Sequence, residues 1–300
     1  MNVLLLNRRP ATRLYDSVSE GSAAIVIRRY SSSFGLASLL LGAPVRTQIR
    51  NVYALVRVAD EIVDNPDPSL RPEPRARMLA WLHDDVRHAL ATGYSANLVV
   101  HAFARTAIAC GIGEELIDPF FASMAMDLEQ TAHTPESFER YVYGSAEVVG
   151  LMCLRAFLAE DRAVEAKKNG DRSEDFDRLA PGARRLGAAF QKLNFLRDLA
   201  EDCDKLGRCY FPGLDIEQFC DADRDRILDD VDADLGAAAA VIPDLPASSR
   251  RAVRVAHATF AELAARLRAT PAQEIRRSRV RVPDPVKVRL MAGALHGGRS

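Results

Sequence analysis

Residues 45–64 read VRTQIRNVYALVRVADEIVD, and two stripes run through them. Val45, Ile49, Val52, Val56, Ala59 and Val63 recur at steps of four and three, the spacing of an apolar helix face turned towards a core. Pro44 stands at the start, where a missing N–H costs nothing, and Pro66, Pro68, Pro72 and Pro74 end the pattern. A second stripe, Tyr53, Arg57, Asp60 and Asp64, is spaced four, three and four, which confines it to an arc of roughly 60°. A phenol, a guanidinium and two carboxylates thus share one line down the helix. Like charges one turn apart repel, so the pair needs water and Arg57 to neutralise it, or an added cation. Taken alone, it fits an exposed helix as well as a site.

The same period governs the rest of the chain. It predicts helices at about 16–30, 72–92, 95–109, 113–128, 135–160, 183–206, 221–242, 247–269 and 284–295, alongside 44–64. No strand alternation and no solenoid repeat interrupts them, so the fold class is all-α. The charged stretch 160–178 reads as a solvated loop or frayed helix end, not a linker, which leaves one domain over 1–300 with its core at about 20–295.

Composition narrows the function. With 300 residues, 48% apolar and 27% charged, the chain can fill a sizeable core, which excludes disorder as its main state. Forty Lys and Arg against 41 Asp and Glu leave a net charge of −1, without the basic excess of a nucleic-acid binder. Five cysteines, none in C-x-x-C, suggest neither a disulfide framework nor a zinc knuckle and fit a reducing, cytoplasmic location. The apolar run before Arg8 is too short for a signal-peptide core, and no later stretch is read as a membrane span. The six histidines form no H-x-x-x-H, and G-x-S-x-G, Walker and G-x-G-x-x-G loops are missing from the sequence. The basic stretch 275–283, IRRSRVRVP, reads as solvated or as a substrate entrance.

A second acidic face changes the weight of the first. In QKLNFLRDLAEDCDKLGRCYFP (191–212), Gln191, Asn194, Asp198 and Asp202 fall within an arc of about 80° on a helix, flanked by Arg197 and Glu201. An amide oxygen and two carboxylates, one per turn, are hard donors suited to Mg²⁺, which fills its remaining positions with water and phosphate oxygens. Phe190, Leu193 and Leu199 argue that much of this helix is buried. Two such faces, each with an arginine beside it, are what a magnesium diphosphate site between helices requires.

These residues resemble the squalene and phytoene synthase family of head-to-head prenyl-diphosphate enzymes. The likeness rests on SSSFGLASLLL (31–41), YALVRVADEIVD (53–64), YVYGSAEVVGLMCLRAF (141–157) and 191–212, in that order. It implies a helical isoprenoid-synthase bundle with a central active-site cavity. It implies Asp60, Asp64, Asn194, Asp198 and Asp202 as Mg²⁺ ligands, with Mn²⁺ as the alternative ion, and Arg57, Gln191, Arg197 and Arg208 on the diphosphate. Tyr53, Tyr141 and Tyr210 would line the site, Ser33 and Phe34 would lie against substrate, and Arg29 would reach a diphosphate. Ser33 also reads as a helix-start cap.

The implied reaction joins two allylic diphosphates through a cyclopropylcarbinyl diphosphate. That species ionises, rearranges to a 1-1′ linkage, and either loses a proton or accepts hydride. D-E-I-V-D is similar to the D-E-L-V-D of phytoene synthases, so the expectation is geranylgeranyl diphosphate to phytoene in carotenoid biosynthesis, without NADPH. The alternatives are farnesyl diphosphate to squalene or dehydrosqualene, and a silent relative acting as an assembly factor. The expected partners are prenyl diphosphates and no nucleic acid, with peripheral membrane contact as the variant a C30 or C40 hydrocarbon would call for. Glu147 departs from the glycine that relatives commonly carry there, at a position expected near the prenyl tails: either it pairs with a basic neighbour, the favoured reading, or the pocket is altered.

Overall fold

The computed structural model describes residues 10–31, 33–65, 67, 69–165, 173–205 and 207–296. Its helices are α1 (Pro10–Tyr30), α2 (Ser33–Ser38), α3 (Ala43–Val63), α4 (Pro72–Thr92), α5 (Leu98–Cys110), α6 (Glu114–Glu129) and α7 (Pro135–Val142), then α8 (Val148–Glu165), α9 (Ser173–Arg197), α10 (Leu199–Lys205), α11 (Asp221–Val241), α12 (Ala247–Ala269), α13 (Ala272–Ile275) and α14 (Asp284–His296). Among the described residues there is no strand, only an isolated bridge between Ala132 and Cys209. The all-α expectation stands.

Local chemistry sets the ends of these helices. Pro44 opens α3, the Asn97 side chain accepts from the Val99 and Val100 amides at the start of α5, and Thr134 forms a capping box with Ser137 at α7. Gly93 ends α4 at φ 75°, in the left-handed region that a side chain disfavours. The α3 stripe is buried as read, except that Val56 is half-buried and Leu55 joins the core.

Three boundaries differ from the sequence reading. The helix expected over 135–160 contains a π-turn at Tyr143–Glu147, and α9 begins at Ser173, so that Pro181 lies inside the helix, not ahead of it. Helix reaches 165 and resumes at 173 inside the stretch read as loop; residues 166–172 lie outside the described residues. The span Pro135–Ala159 is long and apolar enough to cross a membrane by length and composition, with a mean hydropathy of 1.4, contrary to the reading above. Half of it is buried in the protein, as a core helix would be.

Apolar side chains gather in two main groups. One unites α3, α4, α5, α6 and α8 around Leu55, Phe103, Phe120 and Met152; the other unites α7, α9, α11 and α12 around Leu193, Leu196, Phe219 and Leu228. Where α8 and the π-turn meet α9, backbones touch. A methyl group on Gly150 would lie 2.5 Å from the Ala183 carbonyl oxygen, and one on Gly187 would lie 2.5 Å from that of Ala146. The first acidic row rides on α3 in one group and the second on α9 and α10 at the other, so the site forms on their seam.

Candidate active site

The last three turns of α3 carry the first row. Tyr53 hydrogen-bonds Ser31, and burial raises its phenol. Arg57 pairs with Glu61 and lies over the Tyr30 ring, 4.5 Å from its centroid. Burial opposes the Arg57 charge, but Glu61 and Asp60 together outweigh it. Asp60 is pushed up to about 7, first by burial and then by Asp64. Asp64 ends the helix, its amide donating to the Asp60 carbonyl at 2.8 Å.

The second row bends at its middle. α9 stops at Arg197 and α10 starts at Leu199, while the Asp198 and Asp202 amides still donate one turn back, to Asn194 and Asp198, at 2.9 Å each. Gln191 and Asn194 lie half-buried two turns and one turn before Asp198. Arg197 grips Asp198 with Nε at 3.0 Å and Nη2 at 2.5 Å. Arg279, from the basic stretch before α14, reaches the same carboxylate with Nε at 2.7 Å. Asp202 is pushed up to about 7 by burial, by Asp198 and by Asp64.

Asp64 therefore acts on carboxylates of both rows, and Arg208 closes the gap between them. Its Nη1 donates to Asp64 at 2.5 Å, its Nη2 donates to the Val63 carbonyl at 2.9 Å, and Nη1 lies 3.9 Å from Asp127. Burial opposes the guanidinium charge, yet Asp127, Tyr210 and Asp64 hold its pKa well above the ordinary value. Asp127, on α6, accepts the Tyr141 hydroxyl at 2.7 Å and that of Tyr210 at 3.1 Å. Burial pushes the Asp127 carboxyl up to about 6 against the pull of Arg208.

Most residues singled out in the sequence meet here. Tyr53, Arg57, Asp60, Asp64, Asp198, Asp202, Arg197 and Arg208 belong to one network of charges, with Tyr141 and Tyr210 behind it. Arg29 stands exposed on the last turn of α1 and makes no ion pair among the described residues. Ser33 opens α2, but its side chain and that of Phe34 lie outside the described residues. Glu147 accepts from Arg184 at 2.6 Å, the paired arrangement expected of it. Asp127 and Arg279 are site residues that the sequence does not mark: the first has no acid one turn away on α6, and the second sits in the stretch read as solvated or as a substrate entrance.

Among the described residues, no three His, Cys, Asp or Glu side chains group closely enough to hold a metal ion by themselves. A cleft of about 520 Å³ lies elsewhere, between α4 and α6, lined by Leu79, His83, Phe121 and Ala125 among others.

The squalene/phytoene synthase family profile matches residues 27–285. The chain is 30% identical over 261 residues to the 15-cis-phytoene synthase of Enterobacter agglomerans, covering 78% of this chain and 80% of that one. Its fold is similar to that of a dehydrosqualene synthase, with a TM-score of 0.75 at 18% identity, covering 93% of this chain and 96% of the other. A squalene synthase from Alicyclobacillus acidocaldarius gives 0.69 at 18% identity, covering 85% and 95%. The chain belongs to the squalene/phytoene synthase family of prenyltransferases.

Proposed function

We propose that this protein condenses two geranylgeranyl diphosphates head to head into phytoene, with Mg²⁺ held by Asp60, Asp64, Asn194, Asp198 and Asp202. One observation carries the site reading: Asp64 raises both Asp60 and Asp202, which lie on different rows and have no ion-pair partner among the described residues. Such crowded carboxylates take up either protons or cations. Because the protein groups no three ligands by themselves, waters and diphosphate oxygens would complete each ion's shell, as Mg²⁺ prefers.

Bound Mg²⁺ would supply a Lewis-acid pull on the leaving diphosphate oxygens, with Mn²⁺ as a substitute. Arg208, Arg57, Arg197 and Gln191 would hold the diphosphate and take up charge as the allylic bond ionises. Arg197 and Arg279 now occupy Asp198, and a cation there would free both guanidiniums for the substrate. Tyr141, Tyr210 and Phe195 form a buried aromatic wall that keeps water from a carbocation.

The C20 choice and the proton-loss outcome rest on D-E-I-V-D and on similarity to a phytoene synthase over four-fifths of its length. The test is to incubate purified protein with Mg²⁺ and a C15 or C20 allylic diphosphate, with and without NADPH, and identify the hydrocarbon. Phytoene from the C20 substrate without NADPH is expected. Product from C15 alone would make it a squalene or dehydrosqualene synthase, and folded protein inert towards both would make it a silent relative.

A further inference from the structure

Asp127 belongs to neither acidic row, yet it is a buried carboxylate at the seam, its side chain 5% exposed. A buried charge is costly unless donors surround it, and here both oxygens are engaged. Oδ2 accepts from Tyr141 and Oδ1 from Tyr210. The Tyr210 ring cannot turn away, because Phe195 stacks on it with centroids 3.9 Å apart and His133 stacks on it at 5.8 Å. α6, α7 and the strap after α10 thus converge on one carboxylate. The charge that comes closest to it is Arg208, with Nη1 at 3.9 Å.

Arg208 is held today by two partners on α3, the Asp64 carboxylate and the Val63 carbonyl. If Asp64 turns to a cation, as proposed above, Arg208 loses its charged partner there. Asp127 is then the nearby anion that keeps the guanidinium at the seam and aimed between the rows.

We propose that Asp127 is the positioning residue of this site: it holds Arg208, and with it the diphosphate-binding geometry, once Asp64 is engaged by a metal ion. Asp127 itself touches no substrate. The inference rests on the diphosphate reading of the site and adds a third acidic position, on α6, to the two rows.

A double-mutant cycle on the full chain tests it, with binding of inorganic pyrophosphate in Mg²⁺ measured by calorimetry. Removing a charge-assisted anchor should weaken pyrophosphate binding about tenfold in Asp127→Asn, and Arg208→Met should weaken it at least as much. The double variant should bind no more weakly than Arg208→Met alone, a coupling that mere structural damage would not produce. Multiplied losses, or wild-type affinity in Asp127→Asn, would overturn the assignment. Wild-type protein that fails to bind pyrophosphate would instead overturn the diphosphate reading, and this inference with it. Should Asp127→Asn not fold, Tyr210→Phe removes one donor while keeping the carboxylate. Its loss, about threefold for one hydrogen bond, should vanish in the Arg208→Met background, and persistence there would count against the proposal.

Discussion

Arg208 Nη1 lies 2.5 Å from Asp64 Oδ1, which ties the strap after α10 to the end of a helix 144 positions earlier in the chain. The contact draws the two acidic rows together before any cation arrives. Its loss should be felt twice. Arg208→Met leaves Asp127 buried without its nearby cation, a cost of about 3 kcal/mol, so Tm should fall by several degrees along with turnover. A variant as stable as wild type by calorimetry would show that the contact does not hold the rows.

Two neutralising substitutions should separate stability from catalysis. Asp60 sits among like charges without an ion-pair partner among the described residues, so Asp60→Asn should raise Tm in metal-free protein. Asp198 is clasped by Arg197 and Arg279, so Asp198→Asn should lower Tm by about 1 kcal/mol in equivalent stability. Both should cut turnover roughly a thousandfold if each removes a proposed metal ligand acting on the leaving group. Turnover at the wild-type rate in either variant would remove that residue from the metal set.

How much of this the sequence carries can be judged residue by residue. The rows on α3 and α9 are legible because helical period alone brings Asp60 to Asp64 and Asn194 to Asp198 and Asp202 on one line. Arg208 is legible only through its place in a family motif. Asp127 is not, because in MAMDLE it has no acid three or four residues away; its meaning comes from Tyr141 and Tyr210, which lie 14 and 83 residues away. Arg279 is hidden for the opposite reason, one arginine among several in a stretch without periodicity. The bend at Asp198 and the π-turn before Val148 arise from packing between helices, which local preference does not encode.

Metal-free stability should depend on pH in a definite direction. Asp60 and Asp202 are each raised from 3.8 to about 7 in the fold. A carboxyl group raised in this way contributes stability that is complete below its unfolded pKa and is lost as pH climbs through the folded one. Tm measured by circular dichroism in chelator should therefore fall between about pH 4 and pH 7, and fall less in Asp202→Asn. Adding Mg²⁺ at the higher pH should restore Tm by binding the ionised form. Parallel pH profiles for wild type and variant would contradict this.

Glu147 should prove to be a strut, not a substrate contact. Its partner Arg184 is half exposed, so Glu147→Gln should change stability by no more than about 1 kcal/mol and turnover by no more than about twofold. A shift in product chain length, read by chromatography of the hydrocarbon, would instead put Glu147 against the prenyl tails.

In the proposed complex the α3 row and the α9–α10 row close on one diphosphate through shared cations. A crystal structure with Mg²⁺ and a non-ionising prenyl diphosphate analogue tests it most directly. The diphosphate should lie between Asp60 and Asp64 on one side and Asn194, Asp198 and Asp202 on the other, with Arg208 on its oxygens. An analogue seated elsewhere, for instance in the cleft between α4 and α6, or cations bound by one row alone, would contradict it.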